Sequence, residues 1–361
     1  MIRLFVSAGE PSGDAHAATV VRALYREHSD LDIEGIGGPE MAAAGVRLVG
    51  HIESLSVMGL TEGIGTLPAH IRLLRAFRRR VAAHAYDAVL LVDYPGFHLT
   101  LARAASRHAV PVVYYIAPQM WAWGQWRVAA LRHWVQHLAV ILPFEKAFFG
   151  QHDVRATFVG HPLLDRDPGP GRRSARETLG ISQDAAVLAL FPGSRASERH
   201  RLWPAFHETA RRLLRTNADL ELVVAADIGG EDMRTTDSET AMAAADVCLC
   251  KSGTTTLEAA ISDTPMAVAY RMNPLTFAIA RRAVQVPHVS LVNVVAGREV
   301  VPELLQHDAS PETLEQALLP LLERGGQAGR MQREGLATVR EALGTPGAAQ
   351  RVAELTLGYA A

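Results

Sequence analysis

Residues 2–14, "IRLFVSAGEPSGD", decide the fold. Ile2, Leu4, Phe5 and Val6 make an apolar run broken only by Arg3, as in a strand buried on both faces. Small residues follow at Ala8, Gly9, Ser12 and Gly13, and a helix-like pattern begins near Ala15. A strand that turns through small residues into a helix is the first half of a βαβ unit. The pattern then repeats. Residues 87–92, 110–116 and 137–142 read as buried strands, and 14–28, 69–83 and 98–108 as helices between them. Continuous apolar strands alternating with amphipathic helices predict a parallel sheet covered on both faces.

At 165–173, "DRDPGPGRR" is rich in Pro, Gly and charge and reads as an interdomain linker. Beyond it, 186–191, 220–226, 246–250 and 265–270 read as strands, with helices near 198–215, 254–261 and 274–284 and a helical tail from 310 onward. The reading is α/β, with two Rossmann-like doubly wound domains, 1–165 and 174–345. A terminal helix at 346–361 packs back on the first domain. Two such domains facing a cleft place ligands at the C-terminal ends of their strands.

The chain has 361 residues, 48% of them hydrophobic, enough for two cores. Lys+Arg total 36 against Asp+Glu 38, a formal charge of −2, which excludes the basic field that captures nucleic acid. Acidic partners must therefore be met locally. The two cysteines, Cys248 and Cys250, lie two apart in a predicted strand, so they share a face and do not suit a disulfide. A reducing compartment fits best. The sequence shows no signal-peptide pattern and no apolar run of 18 residues, so no membrane-spanning segment is expected.

Two loops of the second domain suit an anion. "LFPGSRASE" puts Gly193 and Ser194 after a strand and Arg195 at the start of a helix, where backbone N–H groups, the helix dipole and a guanidinium favour phosphate. A tight turn with Ser194 as N-cap is the structural alternative. "CKSGTTTLEAA" repeats the arrangement with Ser252, Gly253 and Thr254, and Glu258 about one turn later suits ribose hydroxyls or simple dipole stabilisation. No P-loop and no G-x-G-x-x-G after a strand is present; "GIGGPE" at 35–40 has Glu40 in the third glycine position. The pairs Asp30/Asp32 and Asp165/Asp167 lie in polar connections and carry little weight as metal-binding motifs.

In the first domain, Glu10 and Asp14 stand where a phosphate-binding loop would avoid carboxylates. If the diphosphate belongs to the second domain, these acids are free to bind sugar hydroxyls or take a proton, with an ordinary helix cap as the alternative for Asp14. "LLVDYPGFH" ends an apolar strand with Asp93, a candidate general base or a cap for the helix after Pro95. Trp121, Trp123 and Trp126 read more readily as core than as a pocket. In 65–83, Leu67, Ile71, Leu74 and Val81 recur at helical spacing, with Arg72, Arg75 and Arg79 on another side. Preceded by the apolar "LSVMGLTEGIG", this helix suits an anionic membrane surface, and a packed helix with a solvated Arg face is the alternative.

"SAGEPSGD", "VMGLTEGIG", "LLVDYPGFH", "APQMWAWGQWR", "LPFEKAFF", "VGHPLLD", "FPGSRASE", "SGTTTLE", "YRMNPLTF" and "SLVNVVAGREVVPELLQ" follow one another over almost the whole chain. In that order they resemble the lipid-A-disaccharide synthase family, inverting glycosyltransferases of the B-type fold. The resemblance implies transfer of 2,3-diacylglucosamine from UDP-2,3-diacylglucosamine to 2,3-diacylglucosamine 1-phosphate, giving UDP and the β-1,6 disaccharide 1-phosphate precursor of lipid A. It makes Asp93 the base and Glu10 an orienting group or substitute base, with Ser12, Gly13 and Asp14 beside the acceptor. UDP is assigned to Gly193, Ser194, Arg195, Ser252, Gly253, Thr254, Glu258, Arg271 and Asn293, with no metal and no cofactor. It also implies peripheral attachment to the cytoplasmic face of the inner membrane; a homo-oligomer is compatible. Rivals are another UDP-sugar enzyme of B-type fold, such as a soluble-acceptor transferase or 2-epimerase, and a non-catalytic UDP-sugar-binding protein. One departure is "DIGGEDMRTTDS", 227–238, shorter than the family's usual helix-plus-strand segment, so a strand of the second sheet is expected to be missing or replaced.

Overall fold

The computed structural model describes every residue except 55–66, 275, 278–281, 283 and 285. The apolar stretch before the basic helix, and most of the helix expected at 274–284, therefore lie outside the described residues. The chain forms two compact units, Met1–Asp165 with Leu343–Ala361, and Arg166–Ala342.

The first unit holds a seven-stranded sheet: β1 Ile2–Ala8, β2 Leu31–Gly37, β3 Arg47–His51, β4 Ala88–Val92, β5 Val112–Tyr115, β6 His137–Val140 and β7 Ala156–Phe158. Its order is β3-β2-β1-β4-β5-β6-β7, and every pairing is parallel. Side chains alternate between faces along a strand. Leu4 and Val6 of β1 join Val20, Val21 and Leu24 of the helix Pro11–Glu27 and Val352 of the helix Ala348–Ala360. Phe5 points the other way, to Leu73, Phe77 and Val81 of the helix Leu67–Ala82 and Leu101 of the helix Pro95–Ser106. Each such burial is worth about 1.5–3 kcal/mol against exposure. Ser7 has the parity of Phe5 and so carries a hydroxyl into an apolar face, with consequences described below.

Two sequence expectations shift here. The basic helix buries Leu73, Phe77 and Val81; of the expected Leu67, Ile71, Leu74 and Val81 stripe, Val81 is buried and Leu74 partly so, but Ile71 is 39% exposed, so the inward stripe is rotated. The strands β2 and β3 escape the apolar-run criterion because Asp32, Glu34, Gly35 and Gly37 interrupt the first and His51 ends the second.

The second unit holds a six-stranded parallel sheet of order β10-β9-β8-β11-β12-β13: β8 Ala186–Phe191, β9 Leu220–Val224, β10 Arg234–Thr235, β11 Val247–Lys251, β12 Met266–Tyr270 and β13 Glu303–Leu305. Leu188, Leu190 and Leu249 pack on Leu202 and Phe206 of the helix Ala196–Thr216 and on Leu314 and Leu318 of the helix Pro311–Leu322. Cys248 and Cys250 occupy the opposite face, both free and buried, with Cys248 Sγ 3.8 Å from Met242 Sδ. The shortened segment at 227–238 does supply a strand. It is β10, two residues long, paired with Val223 and Val224 at the sheet edge. Arg176, fully buried, donates to the carbonyls of Ser182, Gln183, Ala185 and Ala244 and pairs with Asp246 at 2.8 Å. That leaves its charge compensated inside the unit, as a buried guanidinium requires.

Candidate active site

In an open parallel sheet, ligands bind where the strand order reverses, beyond the carboxyl ends of the strands. In the first sheet that point lies between β1 and β4, since β1 continues to β2 on one side and β4 to β5 on the other. The loops there are Gly9-Glu10 and Asp93-Tyr94, and each leads into a helix with Pro at its first turn, Pro11 and Pro95. The loops touch closely: a Cβ on Gly9 would fall 2.1 Å from Tyr94 Cγ, so only glycine fits beneath that ring.

Asp93 and Tyr94 both adopt the left-handed region, at φ 53° and 51°. Backbone strain of that kind costs about 1–3 kcal/mol per residue and needs support from its surroundings. The support is a buried polar chain. The Asp93 carbonyl accepts from Tyr114 Oη at 2.6 Å and from His98 Nδ1 at 2.6 Å, while His98 Nε2 lies 2.9 Å from Ser7 Oγ. A carbonyl only accepts, so Nδ1 carries the proton and Nε2 accepts from the Ser7 hydroxyl. His98 is wholly buried, and burial holds its imidazole down at about 4. The Asp93 carboxyl is raised from its ordinary value by burial, opposed by the Tyr94 backbone N–H and assisted by the charge of Glu10. Sequence reading did not single out His98, Tyr114 or Ser7; the one available signal was a serine of inward parity in β1.

Glu10 and Ser12 are exposed beside this corner. Asp14 is different. Its carboxylate is 1% exposed and accepts from the backbone N–H groups of Gly38 at 2.6 Å, Glu40 at 3.0 Å and Met41 at 3.3 Å. It therefore caps the short helix Pro39–Ala43 rather than its own, and Gly38 has no side chain because a Cβ would lie 2.6 Å from Asp14 Oδ2. The helix-cap alternative for Asp14 is thus the one these hydrogen bonds favour, at a neighbouring helix. Gly13 is buried, with a Cβ position 3.6 Å from the Val92 carbonyl, and serves close packing of helix on strand.

The reversal in the second sheet lies between β8 and β11, and its loops are Gly193–Arg195 and Ser252–Thr254. The structure brings these two together. Glu198 receives the Lys251 ammonium at 2.9 Å and the Arg195 guanidinium at 3.9 Å, and a Cβ on Gly193 would lie 2.7 Å from Glu198 Oε2. Lys251 Nζ is also 3.8 Å from the Cβ position of Gly253. Gly193, at φ 111°, bends the chain so that Arg195, not Ser194, is the N-cap of the 21-residue helix Ala196–Thr216. Arg199 steadies the bend by donating to the Ser194 carbonyl at 2.5 Å. Lys251 and Glu198 are thus additions to the sequence-derived set.

Ser252 Oγ donates to the Val289 carbonyl at 2.9 Å, and Thr254 is exposed at the start of the helix Thr254–Ile261. Glu258 pairs with Arg166 at 3.0 Å, a half-exposed contact worth at most about 1 kcal/mol and so readily exchanged for a ligand. Arg271 and Asn293 are both engaged in hydrogen bonds within the second unit. Arg271 donates to the carbonyls of Gln306 and Ala309. Asn293 is wholly buried, its amide donating to Val301 O and Glu303 Oε1 at 2.8 Å and accepting from Val300 N and Val301 N at 2.7 and 3.0 Å. All four hydrogen-bonding positions of that amide are filled within the unit, which ties it to the framework.

Of the three tryptophans only Trp121 is core, its indole N–H donating to buried Glu145 at 3.0 Å. Trp123 and Trp126 are 52% and 81% exposed, and Arg127 lies over the Trp123 ring at 4.2 Å. Among the described residues no group of three His, Cys, Asp or Glu is placed to hold a metal ion.

Two doubly wound sheets in one chain, each presenting polar loops at its own strand reversal, define a protein of the B-type glycosyltransferase fold. Solved structures agree: the glycosyltransferase of kitacinnamycin matches with TM-score 0.66 at 16% identity over 99% of this chain and 98% of that one. The UDP-GlcNAc 2-epimerase from Neisseria meningitidis bound to UDP-GlcNAc matches with TM-score 0.65 at 12% identity over 99% and 100%. At such identities the likeness is one of fold. Within that class the chain belongs to the lipid-A-disaccharide synthetase family, whose profile matches residues 4–352. The lipid-A-disaccharide synthase of Anaeromyxobacter dehalogenans is 40% identical, covering 99% of this chain and 97% of its own, and that of Myxococcus xanthus is 38% identical, covering 98% and 97%. It is a glycosyltransferase of lipid A biosynthesis.

Proposed function

We propose that the chain moves 2,3-diacylglucosamine from UDP to the 6-hydroxyl of 2,3-diacylglucosamine 1-phosphate, with Asp93 as the general base. The observation that carries the assignment of Asp93 is its position: a half-buried carboxyl with a raised proton affinity at the strand reversal of the first sheet. The acceptor oxygen attacks the anomeric carbon as the bond to UDP breaks on the opposite face, so inversion follows and the hydroxyl proton passes to Asp93. Negative charge grows on the departing diphosphate. The N–H groups at the starts of the helices Ala196–Thr216 and Thr254–Ile261, with Arg195 and Lys251, supply fixed positive potential for it. Both cations pair with Glu198, at 3.9 and 2.9 Å, which keeps them near one another. Gly193, Ser194, Ser252, Gly253, Thr254 and Glu258 complete the UDP site in this reading, and Glu10 and Ser12 orient the acceptor.

Peripheral attachment to the anionic cytoplasmic surface of the inner membrane fits the exposed Ile71 and the exposed Arg72, Arg75, Arg78 and Arg79 of the basic helix. No helix among the described residues is long and apolar enough to cross a membrane.

The test is Asp93→Asn. UDP affinity is expected to stay within about twofold while UDP release in the presence of acceptor and chelator falls roughly 10²–10⁴-fold, the range for loss of a general base. Near-normal turnover would remove Asp93 from the reaction.

A further inference from the structure

The reaction as described uses the Asp93 side chain and leaves unexplained why its backbone carbonyl is held by two buried polar side chains, one of them backed by a third. His98 from the helix after Pro95 and Tyr114 from β5 converge on one peptide carbonyl, and Ser7 from β1 bonds the far nitrogen of His98. Two of these groups donate to the same oxygen, and the Asp93 N–H in turn donates to the Tyr115 carbonyl at 2.9 Å. Both sides of the residue are thus tied to β5 and to the helix. A strand that ended in ordinary extended geometry would need none of this. Here the chain turns through two consecutive left-handed residues, neither of them glycine, and the Tyr94 ring closes over Gly9.

We propose that His98 is a positioning residue for transfer: oriented by Ser7 and assisted by Tyr114, it holds the Asp93 carbonyl so that the left-handed turn aims the Asp93 carboxylate at the acceptor. The inference rests on the assignment of Asp93 as base. Its chemistry demands a neutral ring, since only the Nδ1–H tautomer can donate to a carbonyl while accepting from a serine hydroxyl. The ring's neighbours satisfy that demand. Tyr94 and Tyr114 meet it edge-on at 5.7 and 6.2 Å, and Phe97 lies at 6.3 Å. The burial that surrounds the imidazole disfavours its charged form. An asparagine at this position carries an amide N–H at the distance of Nδ1 from the backbone, whereas leucine fills the space and donates nothing.

The experiment compares His98→Asn, His98→Leu and Tyr114→Phe with Asp93→Asn in the full-length chain. It measures kcat and KM for UDP release from UDP-diacylglucosamine with diacylglucosamine 1-phosphate, and UDP affinity separately. His98→Leu is expected to lower kcat by roughly 10²-fold with little change in KM or UDP affinity, the size of effect that follows from a misplacement of about 1 Å. Tyr114→Phe is expected to lose about tenfold, as one of two donors to the carbonyl goes, and His98→Asn to recover most of the kcat lost in His98→Leu. If Asp93→Asn is inactive while His98→Leu and Tyr114→Phe both turn over normally, the positioning role is overturned and the base stands. If His98→Asn is as slow as His98→Leu, the hydrogen bond is not what matters and the proposal fails. If Asp93→Asn is active, it is the base assignment that fails. Tyr114→Phe keeps the decision open to measurement should His98→Leu not fold.

Discussion

Asp93 must be ionised to accept a proton, and its surroundings oppose ionisation through burial and through the nearby charge of Glu10. The acid limb of kcat/KM is therefore expected above the ordinary aspartate range, with activity falling as the pH drops through it. Glu10→Gln removes one raising influence and should move that limb to lower pH; superimposable limbs would separate Glu10 from Asp93 electrostatically. Glu145 offers a stability test of opposite kind. Burial pushes its carboxyl up to about 7, although the Leu142 and Ile141 N–H groups and Trp121 donate to it. The unfolded chain ionises this group near 4.5 while the folded one resists, so its contribution is largest below that value and declines as pH rises toward 7. The span corresponds to roughly 3 kcal/mol. Glu145→Gln should thus gain stability relative to wild type between about pH 5 and 8 in thermal unfolding. A pH-independent difference would count against a raised carboxyl.

Elements decide which face a residue shows, and the basic helix is the clearest instance. Its periodicity announced a helix with one apolar and one arginine side, but two overlapping apolar stripes were available, and packing on Phe5 and Tyr86 selected Leu73-Phe77-Val81. Ile71 was left outward among arginines. Charge reversal at Arg72, Arg75 and Arg79 to Glu is expected to weaken cosedimentation with anionic vesicles at low salt by at least tenfold, since each cation near the surface is worth about 1 kcal/mol. Turnover of short-chain soluble substrates should survive. Binding that ignores the reversal would exclude this helix as the attachment face. In the second unit, the helix start at Ala196 follows the bend at Gly193, and Arg195→Ala is expected to cost about tenfold in UDP affinity, read by calorimetry.

At the scale of the chain, the last helix belongs with the first unit although 177 residues of the second, Arg166–Ala342, intervene. Val352 and Ala353 are wholly buried against β1 and β4 with Leu4, Val6 and Leu90. Asp165 accepts from the backbone N–H groups of Gly347 and Ala349, and Tyr359 meets His137 at 3.1 Å. Truncation after Ala342 uncovers the part of that face of the first sheet not covered by the helix Pro11–Glu27. Hydrogen exchange should then show loss of protection in β1, β4 and β5 with protection retained in β8 and β11. Equal loss in both sheets would mean that the two units do not fold independently.

The apolar runs, the small-residue turns after them and the Pro-Gly linker determined two successive parallel α/β series, because burial on both sheet faces is written locally, strand by strand. They also located the strand-end loops at Glu10, Asp93, Arg195 and Ser252. What only the tertiary structure decided is which polar side chains are already satisfied. Asp14 finds its partners 24 to 27 residues away, Arg271 at 35 and 38, and Ser7 meets His98 across 91. Such partners become neighbours only when the strand order closes, and hydrogen bonds between them leave no periodic trace in the sequence. That is why Asn293 reads like a ligand-binding amide in one dimension and is a saturated strut in three.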